Sequence, residues 1–192
     1  RAVCISNLKQ IGLAMKMYSQ DYREFFPRTS AAALSVTHAA GNATTGASFN
    51  LLYPKYISAE KTFICPSDLT ATTEAFAAEE VSQLGGDKLL DSTGCSYAYA
   101  MACNEQTSVD TVLAVDKARA VDSDYTTEAT AWDVAQLTSS GQGGINHKAD
   151  GVNALYVGGH VKWIPKSRIF RAAADFPNSA YATGTAGWVK NP

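Results

Sequence analysis

Histidine and aspartate side chains in the second half of this sequence are the best candidates for holding a metal ion or transferring protons. His147, Asp150 and His160 follow one another closely, and Asp116 ends an apolar run upstream of them. Imidazole and carboxylate groups at strand ends can converge on a metal or act as acid and base. Their spacing matches no known ligand signature. We therefore expect structural roles for them, with His147, His160 and Asp116 as the candidates should a metal bind.

Other catalytic patterns are weaker. Asp122, Asp124 and Glu128 are loosely similar to a calcium loop, but the central glycine and distal glutamate of an EF-hand are missing. Calcium remains an alternative to a solvated acidic loop. No Gly-x-Ser-x-Gly segment occurs, and no motif ties a serine or cysteine to a histidine. We expect that the chain is not an enzyme and carries no cofactor.

The composition suits one domain with its own core. The chain has 192 residues, of which 46% are hydrophobic, and a net charge of -2. No basic patch with interleaved aromatic residues occurs, which argues against a nucleic-acid partner. No apolar run approaches the roughly 18 residues that cross a bilayer. We therefore expect no membrane span within this sequence.

Residues 1–27 predict a long amphipathic helix. Its apolar side chains recur at alternating steps of four and three, which places them on one face: Cys4, Leu8, Ile11, Met15, Tyr18 and Tyr22. Pro27 blocks continuation, so we predict helix over most of residues 2–24. No capping residue precedes the first turn, which suggests that part of the helix lies upstream of Arg1.

The second half of the chain predicts an antiparallel sheet. Its strand candidates are residues 96–102, 111–115, 152–157 and 160–164. Gly158-Gly159 predicts a tight two-residue hairpin with positive φ at one glycine or both. A helix followed by such a sheet gives an α+β two-layer fold, with Leu8, Ile11, Met15 and Tyr18 facing the sheet.

One domain over residues 1–192 accommodates these elements. We divide it into the helix (1–26), a loop-rich region (27–95), the sheet (96–166) and an irregular tail (167–192).

Several stretches, in order over residues 1–166, resemble type IV pilin-like proteins and pseudopilins. The branch is the prepilin-type set with a C-terminal motif of His, nine residues and Asp-Gly. The matching stretches are NLKQIGLAM with YSQDY and FFP (7–27), FICPSD (63–68), SYAYAM (96–101), DTVLAVDK (110–117) and NHKADGVNALYVGGHVKW (146–163). This chain departs from the motif in two ways. Ten residues, rather than nine, separate His147 from the Gly158-Gly159 pair, and Gly158 stands where the family has Asp.

The resemblance implies a pilin fold and a structural role. It implies a filament subunit of a type IV pilus-like or type II secretion system, released by prepilin peptidase cleavage. Its partners would be other subunits and the assembly machinery, with membrane contact only through an upstream helix. The location would be periplasmic or at the cell surface, with anchoring in the inner membrane before assembly.

The four cysteines form no Cys-x-x-Cys pair, so a structural zinc site is not expected. Four cysteines allow three disulfide connectivities, and four reduced thiols are a further alternative. The resemblance favours Cys4–Cys65, because both occupy motif positions, and leaves Cys95–Cys103 as a local addition. A straight strand would hold Cys95 and Cys103 about 26 Å apart, far beyond disulfide reach. Without a turn near Met101, Cys65–Cys95 is the better pairing.

A second functional hypothesis is a surface-displayed domain that binds carbohydrate or a protein partner. Pilin-like scaffolds can carry such a role. The aromatic candidates are Tyr53, Tyr56, Trp132, Trp163 and Trp188. An exposed aromatic row would favour binding, whereas aromatics packed into the core would favour a structural subunit.

Overall fold

The computed structural model describes residues 1–28, 45–68, 95–100, 103–116, 146–147 and 150–165. Several predicted features lie outside these ranges: Asp122, Asp124, Glu128, Trp132, Trp188 and the tail over residues 167–192. The predictions made for them stay predictions.

The N-terminal helix α1 spans Ala2–Asp21, three residues shorter than the predicted limit at residue 24. Its end follows from the backbone, because Arg23 and Glu24 have positive φ values of 52° and 69°. The N–H of Glu24 turns back to the carbonyl of Ser19 at 2.8 Å. That bond satisfies one of the carbonyls that every helix end leaves without an intrahelical partner.

The predicted buried face of α1 is confirmed. Leu8, Ile11, Met15 and Tyr18 are all at most 1% exposed. The helix packs on β3 and also contacts β2 and β4. Gly12 allows the close approach, since a Cβ there would stand 2.8 Å from Cδ1 of Leu155.

The sheet has four strands, β1 (Tyr97–Tyr99), β2 (Val112–Asp116), β3 (Gly151–Tyr156) and β4 (Val161–Pro165). They lie in the order β1-β2-β3-β4, and every neighbouring pair is antiparallel. The chain therefore has the predicted α+β architecture, with a long helix on an antiparallel sheet, as in a pilin-like fold.

The hairpin between β3 and β4 differs in length from the prediction. The N–H of Tyr156 donates to the carbonyl of His160 at 3.0 Å, so the loop is Val157, Gly158 and Gly159. The prediction of a two-residue turn is therefore wrong. Three-residue loops close with a left-handed residue, and Gly159 supplies it with φ of 85°. The expectation of positive φ at one glycine or both is confirmed.

The described part of the loop-rich region contains two short helices. Helix α2 spans Thr45–Asn50, and a 3-10 helix spans Glu60–Phe63. They bring Phe49 and Phe63 into the core beneath α1. The side-chain amide of Asn7 donates to the carbonyl of Ile64 at 2.9 Å, which fixes the segment leading to Cys65 against the start of α1.

Within the described residues, no helix is both long enough and apolar enough to cross a membrane.

Candidate functional site

A buried polar cluster lies where the start of α1 meets the sheet. We call it the Asp116 cluster, and it comprises Asp116, Asn146, His147 and Asn153. Asp116 ends β2 and Asn153 lies within β3. Asn146 and His147 precede β3 in the chain. All four residues are at most 7% exposed, so the cluster is a polar centre inside the core.

Asp116 accepts hydrogen bonds from both asparagines. Its Oδ1 accepts from Nδ2 of Asn146 at 3.1 Å. Its Oδ2 accepts from the backbone N–H of Asn153 at 2.6 Å and from Nδ2 of Asn153 at 2.8 Å. Nδ2 of Asn146 also donates to the carbonyl of Ser96 at 2.6 Å, which joins the segment before β1 to the cluster. A buried carboxylate is thus stabilised by three N–H donors.

Two opposing effects set the protonation of Asp116. Burial disfavours the charged form and raises the pKa of the carboxyl to about 6, while the hydrogen bonds from Asn153 and Asn146 act in the other direction. At neutral pH the carboxylate form prevails, because that pKa still lies below 7.

His147 is the neutral partner of this carboxylate. Its Nε2 lies 3.4 Å from Oδ2 of Asp116 and 3.0 Å from Nδ2 of Asn153. Burial lowers the pKa of His147 to about 4, with the nearby N-terminus and Arg1 acting in the same direction. A neutral imidazole accepts from Asn153 at Nε2, so the hydrogen-bond network assigns the ring proton to Nδ1. The edge of the ring meets Trp163, with the centroids 5.5 Å apart.

A disulfide between Cys4 and Cys65 borders the cluster, as predicted. The two Cα atoms lie 5.2 Å apart, and the bond closes a loop with a sequence separation of 61. Sγ of Cys65 lies 3.7 Å from Nε2 of His147. The bond therefore joins the first turn of α1 to the segment after the 3-10 helix, directly beside His147.

The second predicted disulfide is wrong, because Cys95 and Cys103 are buried thiols. Strand β1 lies between them, and the N–H of Cys103 donates to the carbonyl of Ala100 at 3.4 Å. The S–H of Cys95 donates instead to the carbonyl of Tyr97 at 3.4 Å. Burial raises the pKa of Cys103 to about 12, which keeps that thiol protonated and unreactive. The alternative pair Cys65–Cys95 is also wrong, since Cys65 is bonded to Cys4.

Two further candidates from the sequence lie elsewhere. His160 follows the hairpin loop, and its ring stacks on Tyr156 with the centroids 4.5 Å apart. Asp150 is exposed and pairs with the guanidinium of Arg1 at 2.7 Å. That guanidinium also lies over the Trp163 ring, 4.1 Å from its centroid. The fold therefore joins His147 with Asp116 and places His160 at the opposite end of the β3–β4 hairpin.

Asn146 and Asn153 are the members of the cluster that sequence reasoning missed. Asn153 had a detectable signal, because it is a polar residue in the otherwise apolar strand β3. A buried strand position usually holds an apolar residue, so an amide there indicates a buried polar partner. Asn146 gave no comparable signal.

The described aromatic candidates for ligand binding have partners within the fold. The Tyr53 hydroxyl donates to Glu60 at 3.1 Å, and the Tyr56 hydroxyl donates to Asp21 at 2.6 Å. Trp163 is half-buried between Arg1 and His147. These contacts fit packing better than a ligand-binding row.

The outward face of α1 carries large apolar side chains. Leu13 is 63% exposed and Met17 is 45% exposed, one helical turn apart and opposite the face that covers the sheet. Val3, which is 54% exposed, lies at the edge of this face. We call Leu13 and Met17 the outer pair of α1.

Comparison with known protein families gives a match at the start of the chain. Residues 1–49 match the model of a family described as "Protein of unknown function (DUF1559)". The match covers α1 and extends into α2. No curated protein and no solved structure matches the chain with significance.

Proposed function

We propose that this chain is the globular part of a pilin-like subunit, a structural component of a type IV pilus-like or type II secretion filament. The observation that carries the proposal is the division of α1 into two apolar surfaces. One is buried against the chain's own sheet and the 3-10 helix, and the other presents the outer pair, Leu13 and Met17, to solvent. A helix that packs on its sheet and still exposes large apolar side chains is suited to a second packing partner.

Three further observations support this role. The motifs that resemble pilin-like proteins fall on α1, the segment before the disulfide and the strands of the sheet. The family match covers α1. The Cys4–Cys65 disulfide suits an oxidising compartment, so we place the domain in the periplasm or at the cell surface.

The Asp116 cluster has a structural role in this proposal. Three N–H donors already bind the carboxylate of Asp116. His147 is covered by Trp163 and the disulfide rather than facing a cleft. A catalytic pair needs access to a substrate, so we assign the cluster to holding β2, β3 and the start of α1 together.

Photo-crosslinking in the native host tests the proposal. A photoreactive amino acid at position 13 of the full-length gene product is expected to give crosslinks between copies or to other filament subunits. The matched control is position 109, because Val109 is 60% exposed but lies in the turn before β2. Monomers alone from position 13, under conditions in which the host assembles its filaments, would contradict the proposal.

A charge substitution sharpens the test. Leu13→Asp is expected to remove the protein from sheared filaments or from the assembled fraction, while Val109→Asp assembles normally. Both changes affect exposed side chains, so the free energy of unfolding should change by about 0.5 kcal/mol or less. Normal assembly of Leu13→Asp would show that this helix face does not contact a neighbour.

A further inference from the structure

The geometry points to a second chemical state of the disulfide region. When the Cys4–Cys65 bond is reduced, Cys4, Cys65, His147 and Asp116 form a four-ligand zinc site. One ligand atom from each of the four lies within 4.8 Å of all the others, and all four residues are buried. This state goes beyond the proposed filament role and does not depend on it.

The ligand spacing agrees with tetrahedral zinc. Zinc binds thiolate at about 2.3 Å and imidazole or carboxylate at about 2.0–2.2 Å. In a tetrahedron these bond lengths place neighbouring ligand atoms about 3.3–3.8 Å apart. Nε2 of His147 already lies 3.4 Å from Oδ2 of Asp116 and 3.7 Å from Sγ of Cys65. The other ligand atoms lie within 4.8 Å of one another, and breaking the S–S bond lets the two sulfurs separate.

The net charge of the buried region also favours replacement of the disulfide by two zinc-bound thiolates. In the oxidised state the disulfide is neutral, and the Asp116 carboxylate contributes one negative charge. In the zinc state two thiolates and one carboxylate oppose a divalent cation, so the net charge is unchanged. Two thiolates without a metal would add two negative charges to a buried site. Reduction therefore creates two neutral thiols, or two thiolates with a divalent cation.

The reaction balances with a dithiol as reductant. The S–S bond of Cys4–Cys65 breaks and the reductant's own disulfide forms, with two electrons and two protons passing to the cysteines. Zinc then displaces both thiol protons to solvent as the two Zn–S bonds form. His147 offers Nε2 without a proton, because that atom already accepts from Asn153, and the Asp116 oxygens already accept three N–H bonds.

The neighbouring asparagines can support the metal-bound form. A carboxylate offers about four lone-pair sites. Oδ1 of Asp116 accepts one bond, from Asn146, and Oδ2, the oxygen near His147, accepts two bonds from Asn153. The metal would take the lone pair of Nε2 that Asn153 now occupies at 3.0 Å, and on Oδ2 it would replace the bond from the Asn153 side chain. Asn153 keeps its backbone N–H bond to Asp116 in that state. With four protein ligands the site is closed, which is typical of structural zinc.

Metal binding by the reduced full-length chain tests this inference. A phosphine reduces the disulfide without adding a competing thiol, because the phosphine takes up the oxygen of a water molecule. Anaerobic titration with Co²⁺ is expected to give tetrahedral d–d absorption and a thiolate-to-cobalt charge-transfer band at one equivalent. Zn²⁺ should abolish both signals. The oxidised chain should give neither.

Variants identify the ligands. His147→Gln is expected to weaken Co²⁺ binding by more than about tenfold. His160→Gln, which changes the other histidine of the hairpin, should bind like the wild type. Equal binding by His147→Gln, or by the oxidised chain, would overturn the inference.

Circular dichroism shows whether the reduced chain stays folded without metal. If the reduced chain unfolds, stoichiometric Zn²⁺ is expected to restore its circular dichroism spectrum. A reduced chain that takes up no metal, whether folded or unfolded, would also overturn the inference.

Discussion

The two ends of the β3–β4 hairpin each have a nearby histidine, and their surroundings differ completely. At one end, His147 is buried with Asp116 and Asn153 beneath the first turns of α1. At the other, His160 is half-buried and stacks on Tyr156 beside the hairpin loop. We call these the closed end and the open end.

The difference shows what makes a polar side chain structural in this fold. The closed end is covered by α1 and bordered by the Cys4–Cys65 disulfide, so its polar groups must satisfy one another. At the open end, Gly159 turns the chain and a Cβ there would meet nothing within 4 Å. Cover by the helix, rather than residue type, therefore decides the role of each histidine.

The largest predicted effect compares Asp116→Ala with His160→Ala. Removing the Asp116 carboxylate leaves three N–H donors of Asn146 and Asn153 without their acceptor in a buried site. We expect a loss of about 3–5 kcal/mol in the free energy of unfolding. His160→Ala should cost about 1 kcal/mol or less, since it removes the stacking of a half-buried ring on Tyr156. Urea denaturation measures both, and equal losses would contradict the comparison.

The next prediction concerns the helix that covers the closed end. Leu8→Ala should lower the free energy of unfolding by about 2–5 kcal/mol, because Leu8 is fully buried. Leu13→Ala makes the same chemical change on the outer face and should change it by about 0.5 kcal/mol or less. A large loss in the Leu13 variant, or none in the Leu8 variant, would show that the packing face of α1 is assigned wrongly.

Replacing a glycine at each end of the hairpin tests the difference between the closed end and the open end. Gly151, at the closed end, has φ of 150°, and a Cβ there would collide with the carbonyl oxygen of Ile164. Gly151→Ala should therefore cost about 2–3 kcal/mol. Gly159→Ala has open space and only an unfavourable φ, so its cost should be about 1 kcal/mol. Thermal unfolding would rank the two variants, and the reverse order would contradict the packing at Gly151.

The smallest predicted effect is the pH dependence of wild-type stability, because two opposing titrations nearly cancel. Burial raises the pKa of Asp116 from 3.8 to about 6, so this group alone makes stability fall as pH rises from about 4 to 6. Burial lowers the pKa of His147 from 6.5 to about 4, so this group alone makes stability rise from about pH 4 to 6.5. The two slopes oppose each other, and each is at most about 1.4 kcal/mol per pH unit.

Single variants should separate these slopes. In the oxidised chain with a chelator present, the contribution of this pair to wild-type stability should be nearly flat between about pH 4 and 6. Relative to the wild type, Asp116→Asn should become more stable as pH rises, and His147→Gln should become less stable. Urea titrations at several pH values measure this, and slopes of the same sign in both variants would refute the pairing.

Local patterns predicted the main elements of the fold. The four-three spacing of Leu8, Ile11 and Met15 located the buried face of α1, because helical periodicity depends only on nearby residues. The Gly158-Gly159 pair likewise predicted the hairpin between β3 and β4. Its loop length was missed, because a Gly-Gly pair suits both two-residue and three-residue loops. The helix covers most of residues 2–24, as predicted, and it ends at Asp21 because Arg23 and Glu24 adopt positive φ without being glycine.

The Asp116 cluster depends on contacts between distant segments, so spacing could not reveal it. Asp116 and His147 were both singled out in the sequence, but their pairing requires β2 and β3 to lie side by side. The resemblance to pilin-like motifs predicted the Cys4–Cys65 disulfide. Extending the disulfide hypothesis to Cys95 and Cys103 failed, because spacing in the sequence does not show how two cysteine side chains are oriented; both are buried thiols.

The Cys4–Cys65 disulfide joins α1 to the chain beside the Asp116 cluster and thereby closes that end of the molecule. Mass spectrometry after alkylation in denaturant, without reductant, tests this pairing. We expect one linked peptide pair containing Cys4 and Cys65, with alkylation at Cys95 and Cys103. Alkylation of all four cysteines, or a linked pair containing Cys95 or Cys103, would contradict it.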